Sequence, residues 1–140
     1  MHYSIKTHLR SIPMATYRIY LTDDDRFLLN MYAGKFRAAG NEITAFPNGQ
    51  LLLDELRAKP APDALLLDIV MPEIDGFQVL ETIQKEGLAP GMKVIVLSNQ
   101  GLETDVERAK KLGASGYIIK ASAIPSEVYA ETIKIIEKTA

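Results

Sequence analysis

Short apolar runs alternate along the chain with longer stretches in which apolar residues recur at helical spacing. The runs are rich in Ile, Leu and Val, which is typical of buried strands. They predict five strands: Arg18–Thr22, Glu42–Phe46, Ala64–Leu67, Lys93–Leu97 and Gly116–Ile119. The third run, ALLL, has no polar alternation, which indicates a strand covered on both faces.

A helix is predicted after each strand, over about 26–39, 51–59, 75–86, 103–112 and 125–138. Asp25 precedes the first helix as a candidate N-cap, and Asp75 with Gln78 forms a capping-box pattern at the third. Gly40 and Gly113 follow the first and fourth helices, and glycine commonly ends a helix at such positions.

This alternation predicts an α/β domain. Right-handed strand–helix–strand units give a single doubly wound five-stranded parallel sheet with helices on both faces. Ligands of such sheets bind beyond the carboxyl ends of the strands. Strand 2 ends in Phe46, which fits an edge strand away from the site. The polar residues that follow the other strands are Asp23, Asp24, Asp25, Asp68, Ser98 and Lys120. They form the candidate site, except that Asp25 is interpreted as the N-cap of the first helix and not as a ligand.

Composition limits the class of protein. The chain has 140 residues, 47% of them hydrophobic and 24% charged, which fits one globular domain. Apolar runs stay far below the length of about 20 residues that a membrane helix needs. The absence of cysteine excludes a disulfide framework, a thiolate metal site and a cysteine nucleophile, and suits a reducing cytoplasm.

Charge is unevenly distributed. Residues 1–18 carry three cations and no acid, so the other 13 positive and 18 negative charges give residues 19–140 a formal net charge of −5. This acidity argues against direct nucleic-acid binding, which needs a basic surface. Residues 1–16 are interpreted as a flexible N-terminal extension of a domain over 17–140. The extension lacks the apolar core of a secretory signal, its cationic composition faintly resembles a transit peptide, and His2 and His8 are assigned no role.

The candidate site favours phosphoryl transfer. Three carboxylates at one sheet edge disfavour one another's ionised form unless a cation intervenes, and Mg²⁺ suits a site with few carboxylates, water and a phosphate oxygen. Lys120 and the Ser98 hydroxyl add donors for phosphoryl oxygens. A carboxylate nucleophile, a metal and fixed donors are the parts of such a site. Solvated turns and turn-capping aspartates are the alternative explanation of the acidic residues.

The order of these signals resembles the receiver domain of bacterial two-component response regulators. Asp23-Asp24 is followed by Asp68 in LLLDIVMPEIDG, Ser98 in VIVLS and Lys120 in GYIIK, and the resemblance covers about Tyr17 to the C-terminus. It implies a flavodoxin-like, CheY-like fold with strand order 2-1-3-4-5. It also favours a stand-alone receiver, because the chain ends at the fifth helix.

The resemblance implies a metal-dependent phosphoacceptor. Asp68 would take a phosphoryl group from a phosphohistidine on a sensor histidine kinase or a phosphotransfer protein. Mg²⁺ would be held by Asp68, by Asp24 directly, by Asp23 through water and by the backbone carbonyl of Val70.

The resemblance also implies a switch. Ser98 and Lys120 would hold the phosphoryl oxygens, and Tyr117 would turn inward on activation, although core packing is its alternative role. The surface of helix 4, strand 5 and helix 5 would then bind an unidentified downstream protein or a second copy in a homodimer. Such a domain catalyses only its own phosphorylation and dephosphorylation, works in the cytoplasm, and contacts neither membrane nor nucleic acid.

Three residues depart from the pattern of that family. Ala121 stands where proline is common, Ser98 replaces the commoner threonine, and Asn99 is bulkier than the usual small residue and would narrow access for a phosphodonor or water. A receiver-like interaction module that works without phosphorylation stays an alternative. An aspartate-dependent phosphohydrolase is less favoured, because its Asp-x-Asp-Thr/Val pattern and a cap segment are missing. A flavin-binding domain is also less favoured, because the phosphate loop that it needs after strand 1 is missing.

Overall fold

Five strands alternate with five α-helices along residues 16–138, the part of the chain that the computed structural model describes. The strands are β1 (Arg18–Thr22), β2 (Glu42–Phe46), β3 (Ala64–Leu67), β4 (Lys93–Ser98) and β5 (Gly116–Ile119). The helices are α1 (Arg26–Ala38), α2 (Gly49–Ala58), α3 (Gly76–Glu86), α4 (Glu103–Lys111) and α5 (Pro125–Glu137). The interpretations of the N-terminal extension, including a transit peptide, fall almost wholly on residues 1–15 and so lie outside the described residues.

All strand pairs are parallel, and the order of the strands in the sheet is β2-β1-β3-β4-β5. The predicted doubly wound α/β fold is therefore confirmed. The last residue of β1, Thr22, pairs with the last residue of β3, Leu67. This register brings Asp23 and Asp68, which follow them, to the same level of the carboxyl edge.

The sheet has a hydrophobic core on each face. Leu52 of α2, Phe77 of α3 and Ala109 of α4 belong to the core on one face, whereas α1 and α5 cover the other with residues such as Phe36 and Val128. All four residues of β3 are 0% exposed, which confirms the prediction from its unbroken apolar run. Among the described residues, no helix is long and apolar enough to cross a membrane.

Side-chain caps fix where α1, α2 and α3 begin. Asp25 accepts a hydrogen bond from the Leu28 N–H, and Asp75 forms the predicted capping box with Gln78. The second helix begins at Gly49, two residues before the predicted start, because the Asn48 side chain accepts a hydrogen bond from the Leu51 N–H and caps it.

The chain after β5 also differs from the prediction. Lys120–Ser122 form a 3₁₀ turn, an element that the apolar pattern does not show. The peptide bonds of the described residues are all trans, including the bond to Ala121.

The first turn of α3 is packed tightly against the chain that follows β3. The Gly76 N–H donates to the Ile69 carbonyl at 2.8 Å. A Cβ atom on Gly76 would lie 2.5 Å from the Asp68 carbonyl oxygen and 2.7 Å from the Ile69 Cα, both of them backbone atoms. Gly76 is therefore required because a side chain would collide with the backbone of Asp68 and Ile69, and not because its backbone is in the left-handed region.

We predict that Gly76→Ala lowers the free energy of unfolding by about 1–3 kcal/mol, because backbone atoms must move to admit the methyl group. Gly34→Ala is the matched control, since Gly34 lies on exposed α1 surface with nothing within 4 Å of a new Cβ. That control should raise the free energy of unfolding by about 0.5–1 kcal/mol through helix propensity. Urea unfolding measures both values, and equal changes would contradict the packing argument.

Candidate functional site

A pocket of about 270 Å³ opens at the carboxyl edge of the sheet. Since one water takes about 30 Å³, the pocket has room for several waters or for a metal ion with an anion. Carboxylate oxygens of Asp23, Asp24 and Asp68 lie within 4.8 Å of one another. The residues that line the pocket are Asp23, Asp24, Asp25, Leu28, Asp68, Val70, Asn99 and Lys120.

Backbone hydrogen bonds that continue the sheet hold the two buried aspartates in place. The Asp68 N–H donates to the Thr22 carbonyl at 3.0 Å, and the Asp23 N–H donates to the Phe46 carbonyl at 3.3 Å. The Asp25 N–H donates to Asp23 Oδ1 at 2.9 Å and so fixes the direction of that carboxylate. Asp23 is 1% exposed and Asp68 is 5% exposed, whereas Asp24 faces solvent.

Lys120 joins the two buried carboxylates. Its Nζ lies 3.0 Å from Asp23 Oδ2 and 3.6 Å from Asp68 Oδ1, and its side chain is buried. Burial alone would lower the pKa of Lys120, but the hydrogen bond to Asp23 and the charge of Asp68 outweigh it, so that the pKa lies above its ordinary value. Lys120 therefore stays cationic in the pocket.

One lysine does not neutralise three carboxylates. Burial above all, and then the charge of Asp23, raise the pKa of Asp68 to about 7 against the opposing effect of Lys120. The pocket thus holds an excess of negative charge on hard oxygen donors, which is the donor set that Mg²⁺ prefers. The residues present therefore fit a divalent cation.

Ser98 and Tyr117 both contact the same residue, Gln100. The buried Ser98 Oγ accepts a hydrogen bond from the Gln100 N–H at 3.1 Å, and the Tyr117 hydroxyl donates to the Gln100 carbonyl at 2.7 Å. Tyr117 is partly buried, and this burial raises the pKa of its hydroxyl. The two side chains are thus joined through the main chain between β4 and α4, while their role as a switch stays a prediction.

The predicted site residues fall into two groups. Asp23, Asp24, Asp68, Val70 and Lys120 line one pocket, whereas Ser98 and Tyr117 form the neighbouring pair at Gln100.

Sequence reasoning missed one residue of the pocket wall and one backbone contact. Leu28, in the first turn of α1, forms part of its wall, and the Asp25 backbone orients Asp23 although the Asp25 side chain serves as a cap. The position of Leu28 one turn after Asp24 is the signal that points to it. The contacts of Asp25 and Gln100 are made by the main chain, so they do not depend on the type of side chain and could not be predicted from it.

Exposed apolar side chains follow the carboxyl ends of the strands along the chain. One follows each strand, in a connecting loop or in the first turn of the next helix. Among the described residues, the large apolar side chains that stay exposed are Phe27, Leu51, Val70, Leu102 and Ile124. These five residues are named here the apolar rim.

Comparison with known proteins places this geometry in a family. The profile of the response regulator receiver domain matches residues 19–129. The chain is 32% identical to the probable transcriptional regulator ycf27 of Galdieria sulphuraria over 113 residues, which are 81% of the chain and 42% of that protein. It is 28% identical to the polar-differentiation response regulator DivK of Brucella anthropi over 116 residues, which are 83% of the chain and 92% of that protein.

Solved structures agree on the fold. A response regulator receiver domain protein (CheY-like) from Methanospirillum hungatei superposes with a TM-score of 0.78 at 23% identity, and the match covers 88% of this chain and 95% of that one. The CheY-like form of the doubly wound sheet is thereby shown.

We predict that Asp68→Asn raises the free energy of unfolding by about 1–2 kcal/mol at pH 8 in a buffer with chelator, because it removes a buried charge that Asp23 and Asp24 repel. Glu131→Gln is the matched control, because it makes the same change of charge on the exposed surface of α5. It should shift stability by less than about 0.5 kcal/mol. Urea unfolding with the metal removed tests the pair, and a destabilised Asp68→Asn would show that the carboxylates do not repel one another.

Proposed function

The chain belongs to the response regulator receiver domain family, and on this premise we propose that Asp68 accepts a phosphoryl group from a phosphohistidine. The donor would be a sensor histidine kinase or a phosphotransfer protein of a two-component phosphorelay. The observation that carries the proposal is the pocket itself, in which Asp68 lies against two further aspartates and one buried lysine.

Asp68 serves as the nucleophile in this proposal. Its carboxylate oxygen attacks phosphorus in line, the new O–P bond forms, and the P–N bond to the imidazole breaks. The electron pair of that bond stays on the imidazole nitrogen, so the histidine leaves in its neutral form when its other nitrogen carries the proton. Lys120, at 3.6 Å from Asp68, favours the ionised carboxylate that the attack requires.

Asp23, Asp24, Asp68 and the Val70 carbonyl are the groups that would hold Mg²⁺. When bound there, Mg²⁺ supplies positive charge that offsets the carboxylates and the phosphoryl oxygens. The support for this assignment is the excess of carboxylate charge over the single cation of Lys120.

Ser98 and Lys120 bind the oxygens of the phosphoryl group on Asp68 in this proposal. The Ser98 oxygen already accepts from the Gln100 N–H, which leaves its own O–H available for a phosphoryl oxygen. A shift of Ser98 toward Asp68 draws the Gln100 N–H along, and the Tyr117 hydroxyl is bonded to the carbonyl of the same residue. The change at Asp68 thus reaches α4 and β5, where a downstream protein or a second copy would bind.

The apolar rim supports a protein as the phosphodonor. A small anionic metabolite needs polar contacts, whereas Val70, an exposed apolar residue that lines the pocket, offers area to a protein surface. Asn99 lines the pocket mouth and narrows the approach to Asp68.

Receiver domains are typically signalling modules rather than enzymes. For this chain we propose that the only chemistry is its own phosphorylation and dephosphorylation. The place of action would be the cytoplasm.

We predict that wild type, incubated with Mg²⁺ and phosphoramidate, gains the mass of one phosphoryl group and that Asp68→Asn gains none. Asp54→Asn, which removes an exposed carboxylate on α2, is the control and should be labelled like wild type. Chelator should prevent labelling. Labelled Asp68→Asn would refute the assignment of the nucleophile, and an unlabelled wild type that binds Mg²⁺ would favour an interaction module that works without phosphorylation.

We also predict that Ser98→Ala binds beryllium fluoride, a phosphoryl mimic, about tenfold more weakly, because one hydrogen bond to a charged group is lost. The amide shifts that the mimic causes at Gln100 and Tyr117 should shrink as well. Ser98→Thr keeps the hydroxyl and should respond like wild type. Titration followed by amide spectra measures both effects, and an unchanged Ser98→Ala response would remove Ser98 from the switch.

A further inference from the structure

The helix α4 buries few side chains against the rest of the protein. Of its nine residues only Ala109 is buried, and Val106 lies at intermediate exposure. Its N-cap, Leu102, makes no side-chain capping bond. The charges of α4 suit a helix, with acids in its first turn and cations in its last, but they do not attach it to the core.

One side chain of α4 makes a specific contact with α3. The Arg108 guanidinium carbon lies 4.2 Å from the centre of the Phe77 ring, and Arg108 Nη2 lies 3.4 Å from Glu81 Oε2. Phe77 is 5% exposed and anchored in the core, so the ring offers Arg108 a fixed surface. The exposed pair with Glu81 contributes little, and the stacking on the ring is therefore the main part of the contact.

Phe77 is linked directly to the candidate site. It follows Gly76, whose N–H donates to the Ile69 carbonyl and whose Cα has no room for a side chain beside the Asp68 carbonyl oxygen. The ring under Arg108 is thus fixed relative to the backbone of Asp68. The other end of α4 follows the loop that begins after Ser98 and contains Gln100.

We propose that Arg108 acts as a strap that holds α4 on α3, so that this stacked contact lowers the population of displaced α4. The strap ties the helix to the rigid side of the site, where α3 abuts Asp68. A movement of the loop between β4 and α4 can displace α4 only if the stacking of Arg108 on Phe77 is broken. Arg108 is a positioning residue in this device and touches no reacting atom.

Amide hydrogen exchange of the whole chain without a phosphodonor tests the strap. In wild type the α4 amides should exchange through a local opening that depends weakly on urea. Arg108→Ala should speed their exchange by about threefold to tenfold, which is the range expected for loss of a cation–π contact. Lys111→Ala is the matched control, because it removes an exposed cation from the last turn of the same helix and should change the rates by less than about twofold.

A double-mutant cycle separates the strap from a general effect on the helix. Phe77→Leu keeps an apolar side chain in the core but removes the ring, and it should speed α4 exchange by a similar factor. Adding Arg108→Ala to that variant should then have little further effect. Multiplying effects, or equal rates in Arg108→Ala and Lys111→Ala, would overturn the proposal. It would also be overturned if α4 exchanged only together with β3, since the helix would then have no separate opening for a strap to control.

Discussion

Two buried carboxylates held beside a single buried lysine are the constraint on which the site depends. Asp68 is buried beside the charge of Asp23, and both effects disfavour its ionised form, so its placement costs free energy that Lys120 only partly offsets. The fold tolerates this cost because the positions are fixed by backbone bonds, with the Asp68 N–H on the Thr22 carbonyl. The backbones that carry the two carboxylates cannot move apart without breaking such bonds, and the unbalanced negative charge is what makes a divalent cation fit.

The same stretch of chain uses its acidic residues for two different purposes. Asp25 and Asp75 cap α1 and α3, where their carboxylates accept backbone N–H groups at the positive end of a helix. Asp23, Asp24 and Asp68 are left to face the pocket. The caps serve the site indirectly, because the helices that they begin carry Leu28 into the pocket wall and Gly76 against the backbone of Asp68.

Periodicity and strand ends predicted most of this arrangement. The apolar runs located all five strands, and the rule that ligands bind beyond the carboxyl ends selected the residues that line the pocket, since both depend on side-chain type alone. The missing parts depend on other physics. The earlier start of α2 follows from one hydrogen bond of Asn48, and the link between Ser98 and Tyr117 passes through the main chain of Gln100. The stacking of Arg108 on Phe77 joins residues 31 positions apart, which no local pattern reveals.

Two physical connections therefore run from the pocket to α4, and they differ in kind. The first consists of hydrogen bonds at Gln100, which are directional and are lost with a small displacement of Ser98 or Tyr117. The second is the stacking of Arg108 on a ring fixed beside the Asp68 backbone, which tolerates sliding and is lost only when the helix lifts. A small movement of the loop between β4 and α4 therefore breaks the hydrogen bonds at Gln100, whereas the stacking of Arg108 on Phe77 persists over a larger movement. Because so little of α4 is buried, the balance between these two connections, rather than core packing, decides where the helix lies.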